Sequence, residues 1–510
     1  MASLVYFCAT MFSHFLKFIF KIRYSFINRS RFSALRAQEQ ILKTLVESGR
    51  KTSFGREYGF EKIDNFNSFQ NKVPIHSYEK LEAYIERILL GEQDVLWPDK
   101  ISMFAKSSGT SNSKSKFIPL SSKSLKCNHY KAGRDLLAIF TNSFPEKNIF
   151  LSNNISVSGS FERSASGLKI GDLSALLLDN LPRWVQGRRV PSKKLALQTN
   201  WELKIDAIAK ELLKDNPSSI AGVPSWNLVL LQKVLSSSKS KTLKELWPNF
   251  QVYFHGGVNF TPYKSYFEKL ISSKDFVFME TYNASEGFFA IQDRFDGKEN
   301  GMLLLSNHGV YYEFIELDEL LSGKSETCNL QEVELNRNYA LIISTYSGLY
   351  RYLIGDTIRF VDLDPFRIVL TGRVKYFINL FGEELIEENA NRALELTCED
   401  LNCSYLEYTI APVYPDESGK GGHEWLIEFD ISPENLNDFQ QNLDANLKKL
   451  NSDYEAKRTA DLALQMPIVK SLKKGSFYLW LKRNGKLGNQ HKVPRLQSHR
   501  EIADSILELQ

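Results

Sequence analysis

Between residues 148 and 286 short apolar runs alternate with segments of helical period, and that alternation restricts the fold more than any other feature. Residues 148–157 read as a buried strand, and 202–214 place Ile205, Ile208, Ala209, Leu212 and Leu213 on one helical face. Residues 250–255 form a strand ending in Gly256-Gly257, 262–272 a helix, and 276–280 a strand running into Tyr282-Asn-Ala-Ser-Glu286. Strands joined through helices re-enter a sheet in the same direction, so this region predicts a largely parallel sheet. From Gly301 the pattern changes to antiparallel strands, with 348–354 and 357–363 as separate runs around Gly355-Asp356. The expected fold is α/β: a large N-terminal domain of α/β sheets with an antiparallel β subdomain, and a small α+β C-terminal domain. At 510 residues the chain exceeds what one hydrophobic core serves. The polar turn Thr371-Gly-Arg-Val-Lys375 sets the expected border, giving domains at 1–372 and 373–510.

In parallel α/β sheets ligands collect where strands end at their carboxyl side. One loop stands out. Phe104-Ala-Lys-Ser-Ser-Gly-Thr-Ser-Asn-Ser-Lys-Ser-Lys116 carries six small hydroxyls, Ser107, Ser108, Thr110, Ser111, Ser113 and Ser115, around Gly109. Lys106, Lys114 and Lys116 frame them, and apolar runs on both sides make it a loop between two strands. Backbone donors, hydroxyls and cations together suit a polyphosphate, although composition alone also suits a solvated turn. A Walker-type loop is excluded, because Ser113 and Ser115 stand where glycine must precede the lysine.

Composition removes other classes. With 64 basic and 60 acidic residues spread along the chain and no basic stripe among aromatics, nucleic acid is not an expected partner. The five cysteines are scattered without a CxxC pair, which fits a reducing compartment, and the eight histidines lack the HxxxH spacing of a zinc site. Residues 4–27 are apolar and aromatic but interrupted by His14, Lys17, Lys21 and Arg23. They match neither a signal peptide nor a spanning helix; the stretch reads as an amphipathic helix packed on the domain, in preference to one touching a membrane.

Three further stretches carry chemistry. In Tyr282-Asn-Ala-Ser-Glu286 an aromatic ring suited to a purine lies four residues from a carboxylate suited to Mg²⁺. Tyr350-Arg-Tyr-Leu-Ile-Gly-Asp356 offers a carboxylate after a glycine at an expected strand end, where a ribose is commonly held. Gly485-Lys-Leu-Gly-Asn-Gln-His-Lys-Val-Pro-Arg495 is a basic glycine-rich loop near the C-terminus.

Taken in order, the hydroxyl loop, Tyr-Asn-Ala-Ser-Glu, Tyr-Arg-Tyr-Leu-Ile-Gly-Asp, Thr-Gly-Arg and the late Gly-x-Gln-x-Lys-x-Pro-Arg resemble the auxin-responsive acyl acid amido synthetases. That family belongs to the acyl-adenylating superfamily of firefly luciferase and acyl-CoA synthetases. The resemblance implies an adenylation domain with a small mobile C-terminal lid, and an ATP- and Mg²⁺-dependent ligase that joins a carboxylic acid to an amino acid through acyl-AMP. By position it implies that Ser107, Ser108, Gly109, Thr110 and Ser111 grip the ATP phosphates. Gly256, Gly257 and Tyr282 would border adenine, Asp356 would take the ribose hydroxyls, and Arg373 would contact the ribose–phosphate side. Glu286 would hold Mg²⁺, and Lys492 would be the mobile catalytic lysine, with Thr110 and Glu286 completing the catalytic set; Lys486 competes for the role of Lys492. Leu173, Leu176 and the Val223-Pro-Ser-Trp226 turn would line the acyl pocket. The chain departs from the first motif at Asn112 and Ser113, where glycine is usual. The resemblance leaves thioester formation with coenzyme A, and a non-catalytic binding role, as alternatives. A cytoplasmic monomer is expected.

Overall fold

A computed structural model describes residues 2–107, 116–199, 201–257, 260–297, 301–374, 377–378, 385–414, 421–451, 454–455, 458, 464–486, 492–497 and 499–510. The chain forms two compact units, Met1–Ile354 with Arg359–Val369, and Gly355–Ile358 with Leu370–Gln510.

The larger unit is built on an eleven-stranded sheet. Arg189–Val190, Asn154–Ser156, Ser219–Gly222, Val252–Gly256 and Val277–Asn283 pair in parallel in that order. Ile155, Ile220, Val252, Tyr253 and Met279 are buried, as expected for strands covered on both faces by their crossover helices. Next to them Phe288–Gln292 folds back antiparallel, followed by Met302–Leu304, and Val310–Glu316 pairs antiparallel with Asn338–Thr345. A separate four-stranded sheet holds the hairpin Met103–Ser107 and Lys116–Leu120, in register from Met103 opposite Leu120 to Ser107 opposite Lys116. The two strands expected to bracket the hydroxyl loop are therefore present and paired, but they stand outside the main parallel sheet.

Two local expectations are corrected. The separate strands at 348–354 and 357–363 are one continuous strand, Tyr352–Leu363. Gly355 takes φ +90° inside it, so the chain bends without ending the ladder, and Asp356 lies within a strand rather than at its end. The Val223–Trp226 turn is the start of the Pro224–Ser236 helix, where proline at the first helical position lacks only a donor that has no partner there.

The first half of the Tyr350–Asp356 motif is architecture. Arg351 is buried, its Nε bonds Glu313 Oε1 at 2.9 Å, and its remaining donors reach the carbonyls of Gln70 and Val73 and the Thr327 hydroxyl. Burial pushes the Glu313 carboxyl pKa up, and the Arg351 charge opposes that shift.

In the smaller unit Ser404–Val413, Gly422–Ile431 and Ile468–Leu472 form a three-stranded sheet. Its period-two alternation serves two cores. Trp425, Ile427 and Phe429 pack in one with Leu394 of the Glu387–Asp400 helix and Phe439 and Leu443 of the Leu436–Leu450 helix. Leu426 packs in the other, with Phe477 and Trp480 of Ser476–Arg483 and Ile506 of Glu501–Leu507.

Candidate active site

The larger unit places its candidate residues at the ends of adjacent parallel strands. Gly256 pairs with Thr281 across the ladder. A Cβ on Gly256 would lie 2.2 Å from the Thr281 carbonyl oxygen, so only glycine lets the two backbones approach this closely. Gly257 follows at φ +86°, turning the chain off the strand. Just before them, the His255 ring stacks on Phe260 with centroids 3.9 Å apart, and burial lowers its pKa to about 3, keeping it neutral. One strand over, Tyr282 is buried with its ring 4.9 Å from that of Phe289. The chain then reverses through Ala284–Gly287, where the Ala284 N–H donates to the Gly287 carbonyl at 2.8 Å. Glu286 is carried in that turn, and its side chain is buried. Gly256, Gly257, Tyr282 and Glu286 thus lie at neighbouring strand ends of one sheet.

Among the described residues no three His, Cys, Asp or Glu side chains group as a protein-only metal cage would require. Mg²⁺ does not need such a cage, since it is commonly held by one or two carboxylates together with substrate phosphates. A single carboxylate held in a tight turn, as Glu286 is, fits that mode.

Of the hydroxyl loop, Ser107 ends its strand opposite Lys116; Ser108, Gly109, Thr110 and Ser111 lie outside the described residues.

The smaller unit gathers its candidates differently. Arg373 Nε contacts Asp356 Oδ1 at 2.9 Å, with the guanidinium more exposed than the carboxylate. The backbone beneath them is fixed: the Val374 N–H donates to the Gly355 carbonyl at 2.8 Å, and the Thr357 and Thr371 hydroxyls meet at 2.9 Å. Gly372, at φ +153°, brings the chain against Glu387, whose Cβ would lie 3.2 Å from a Cβ added there. Lys492 senses all three charges. Desolvation of its ammonium and then the Arg373 charge pull its pKa below the ordinary lysine value, while Asp356 and Glu387 oppose them. The residue as a whole is solvent-exposed.

The segment behind Lys492 explains its neighbours in sequence. Val493 and Leu496 enter the two cores, and the Pro494 carbonyl accepts from the Thr409 hydroxyl at 2.6 Å. Arg495 pairs with Glu407 and lies over the Tyr408 ring, 4.6 Å from its centroid. The Ile410 N–H donates to the Arg495 carbonyl, and the Gln497 N–H to the Ile410 carbonyl. Val-Pro-Arg is therefore an anchor on the Ser404–Val413 strand, and Lys492 is the first residue ahead of it. Lys486 is placed elsewhere, its ammonium 5.2 Å from the centroid of the Trp480 ring.

These features coincide with three family matches. The chain matches the GH3 family N-terminal domain over residues 23–276, the GH3 family central domain over 303–373 and the GH3 family C-terminal domain over 388–501. The chain belongs to the GH3 family. GH3 relatives span nearly its whole length. An indole-3-acetic acid-amido synthetase, GH3.3 of Arabidopsis thaliana, is 23% identical over 92% of this chain and 90% of its own. The jasmonoyl–L-amino acid synthetase JAR4 of Nicotiana attenuata is 23% identical over 90% of both chains. Among solved structures, the GH3.15 acyl acid amido synthetase superposes with a TM-score of 0.78 at 18% identity, covering 96% of each chain. A 2-hydroxyisobutyryl-CoA ligase with its acyl-AMP superposes at 0.57 and 13% identity, over 93% of this chain and 91% of that one. The fold is that of the GH3 synthetases and, more distantly, of the adenylating ligases.

Two groups of this GH3 chain were not singled out from sequence. Glu387 joins the Asp356–Arg373–Lys492 cluster from the first turn of the Glu387–Asp400 helix. Glu280, one residue before Thr281, is half-buried, and desolvation raises its carboxyl pKa. The residues expected to line the acyl pocket, Leu173 and Leu176, are buried on the Leu173–Asp179 helix.

Proposed function

We propose that this GH3 chain is an ATP- and Mg²⁺-dependent ligase that joins a carboxylic acid to an amino acid. The carboxylate oxygen attacks the α-phosphorus of ATP and pyrophosphate leaves. The amino acid's amine then attacks the acyl carbon, AMP departs, and the amine gives up a proton. Adenylation is needed because a carboxylate has no good leaving group, and the protein's task is to hold two anions in line and neutralise them.

The observation that carries this reading is the convergence of Lys492, Arg373 and Asp356 in a chain that matches GH3 domains along most of its length. In this reading Asp356 accepts from the ribose hydroxyls, and Arg373, paired with it in the structure, turns to the ribose–phosphate side. Lys492 supplies the positive charge to the reacting phosphate and carboxylate. Its lead over Lys486 rests on placement: Lys492 shares the field of Asp356 and Arg373, while Lys486 is taken up by the Trp480 ring. Ser107, Ser108, Gly109, Thr110 and Ser111 take the phosphates, and Gly256, Gly257 and Tyr282 border the base. Glu286 would hold Mg²⁺, which would supply positive charge to offset that of the phosphates. The free thiols Cys127, Cys328, Cys398 and Cys403 suit a reducing compartment, and we assign the enzyme to the cytoplasm as a monomer.

The test is product identification. The protein is incubated with ATP, Mg²⁺, a panel of carboxylic acids, and either mixed amino acids or coenzyme A, and products are resolved by mass spectrometry. An amide adduct supports the reading. A thioester with no amide would replace it with the acyl-CoA reaction, and ATP binding without any product would replace it with a binding role.

A further inference from the structure

The N-terminal helix Ala2–Ser30 has two apolar faces, and the fold uses one of them. Phe20 and Ile27, with Leu16 and Tyr24 beside them, pack against Ala132, Ile139 and Phe140, and Phe20 stacks on Phe150 at 5.2 Å. Polar contacts fix the same side: the Ser13 hydroxyl donates to Asn148 Oδ1 at 2.8 Å, and Arg23 pairs with Asp135 at 2.5 Å. This face satisfies the expectation of a helix packed on the domain. The opposite face is the unexplained one.

Met11, Phe15, Phe18, Ile19, Ile22 and Phe26 recur at spacings of three and four, within an arc of about 100° at ~100° per residue. They are exposed: Met11 59%, Phe15 57%, Phe18 61% and Phe26 64%. At about 200 Å² per full side chain this stripe leaves on the order of 600 Å² of contiguous apolar surface, at the upper limit of what a soluble monomer shows. Past the helix end, Phe32 and Leu35 are exposed as well.

Charge selects the occupant. No acidic residue precedes Glu39, while Lys17, Lys21, Arg23, Arg29, Arg31 and Arg36 all do. Lys21 and Arg29 are exposed; Arg23 is occupied by Asp135, and Lys17 donates to the Pro145 carbonyl and faces Glu146. A second copy docked on this stripe would bring the helix's cations against each other, and the helix itself carries no carboxylate to meet them. No helix among the described residues is long and apolar enough to cross a membrane. An apolar aromatic face with basic residues around it, held rigidly on a folded body, is instead the arrangement of a helix that lies in a lipid interface.

We propose that the outward face of the Ala2–Ser30 helix docks this protein on an anionic lipid surface. The aromatic stripe enters the headgroup boundary, and Lys21 and Arg29 meet the lipid phosphates and carboxylates. The GH3 family match begins at residue 23, so most of the stripe lies ahead of it and the inference rests on this chain's own residues.

Full-length protein is floated with vesicles of phosphatidylcholine and with vesicles in which a third of the lipid is phosphatidylserine. Recovery with the anionic vesicles exceeds that with neutral ones about tenfold, from two cations worth about fivefold each and partly screened. The triple substitution Phe15→Gln, Phe18→Gln, Ile22→Gln abolishes flotation with an unchanged melting temperature, because these side chains lie outside the core. The pair Lys21→Glu and Arg29→Glu removes the preference for anionic lipid. No flotation with either vesicle, or equal flotation of the triple variant, overturns the proposal. So does a dimer in light scattering that the triple variant converts to monomer, because that would assign the stripe to a second copy.

Discussion

The two groups of candidate residues are built on opposite principles. In the larger unit Gly256, Gly257, Tyr282 and Glu286 are placed by shape: adjacent parallel strands approach so closely that no Cβ fits at Gly256, and a tight turn buries Glu286. In the smaller unit Asp356, Arg373 and Lys492 are placed by charge on a surface that water reaches, with the backbone beneath them clamped by Thr357, Thr371 and the Val493–Arg495 anchor. The first arrangement is rigid whatever the ligand. The second is a set of neighbouring charges on an accessible surface. The division suits adenylation, in which the base requires a fixed slot and the transferring phosphate requires charge that responds to it.

This contrast can be broken in several ways. The largest effect is expected from Arg351→Met, which leaves the buried Glu313 carboxylate unpaired. Urea titration should show a loss of about 3–5 kcal/mol, whereas substituting Asp356, in the half-exposed pair, should cost under about 1 kcal/mol. Equal losses would erase the distinction between architecture and charge cluster.

Next, Lys492→Ala should slow adenylation by about 10²–10³-fold, the usual cost of deleting one group that stabilises developing charge, while its melting temperature stays that of the wild type. The pH dependence sharpens this. Because the lysine pKa is lowered, its ammonium is lost at a lower pH than that of a free lysine, so activity should fall on the alkaline side. Lys492→Arg, charged throughout, should move that limb to higher pH even if the plateau is lower. An unchanged limb would remove Lys492 from the reaction.

Gly256→Ala should cost about 1–3 kcal/mol by overpacking against the Thr281 backbone, with a raised KM for ATP. Normal stability and a normal KM would mean the strands can separate there, against a slot set by shape. The smallest effect is assigned to Lys486→Ala, which should cost about 0.5–1 kcal/mol through its contact with Trp480 and leave the rate of adenylation unchanged.

The strand Val252–Gly256 was legible in the sequence because its buried core, Val252-Tyr-Phe254, reads as an unbroken apolar run. The hairpin around the hydroxyl loop was legible too, but not that this hairpin belongs to a second sheet, since sheet membership depends on long-range pairing. The split at Gly355 was misread for a local reason: glycine before aspartate looks like a turn, and only the neighbouring strands show that the ladder continues. The Tyr350–Asp356 motif reads as one functional unit in sequence, yet Arg351 ties loops to Glu313 while Asp356 faces Arg373. Glu387 was illegible because nothing in a helix-start glutamate says which charges lie across from it.

The proposed adenylation of a carboxylic acid depends on the charge of Lys492. It is tested most directly by acid-dependent exchange of radiolabelled pyrophosphate into ATP, comparing wild type with Lys492→Ala across a panel of acids. Wild-type protein should show exchange that requires both an acid and Mg²⁺, and the variant should lose nearly all of it with ATP still bound. Exchange at the wild-type rate in Lys492→Ala, or none with any acid in a wild-type protein that binds ATP, would contradict the proposal.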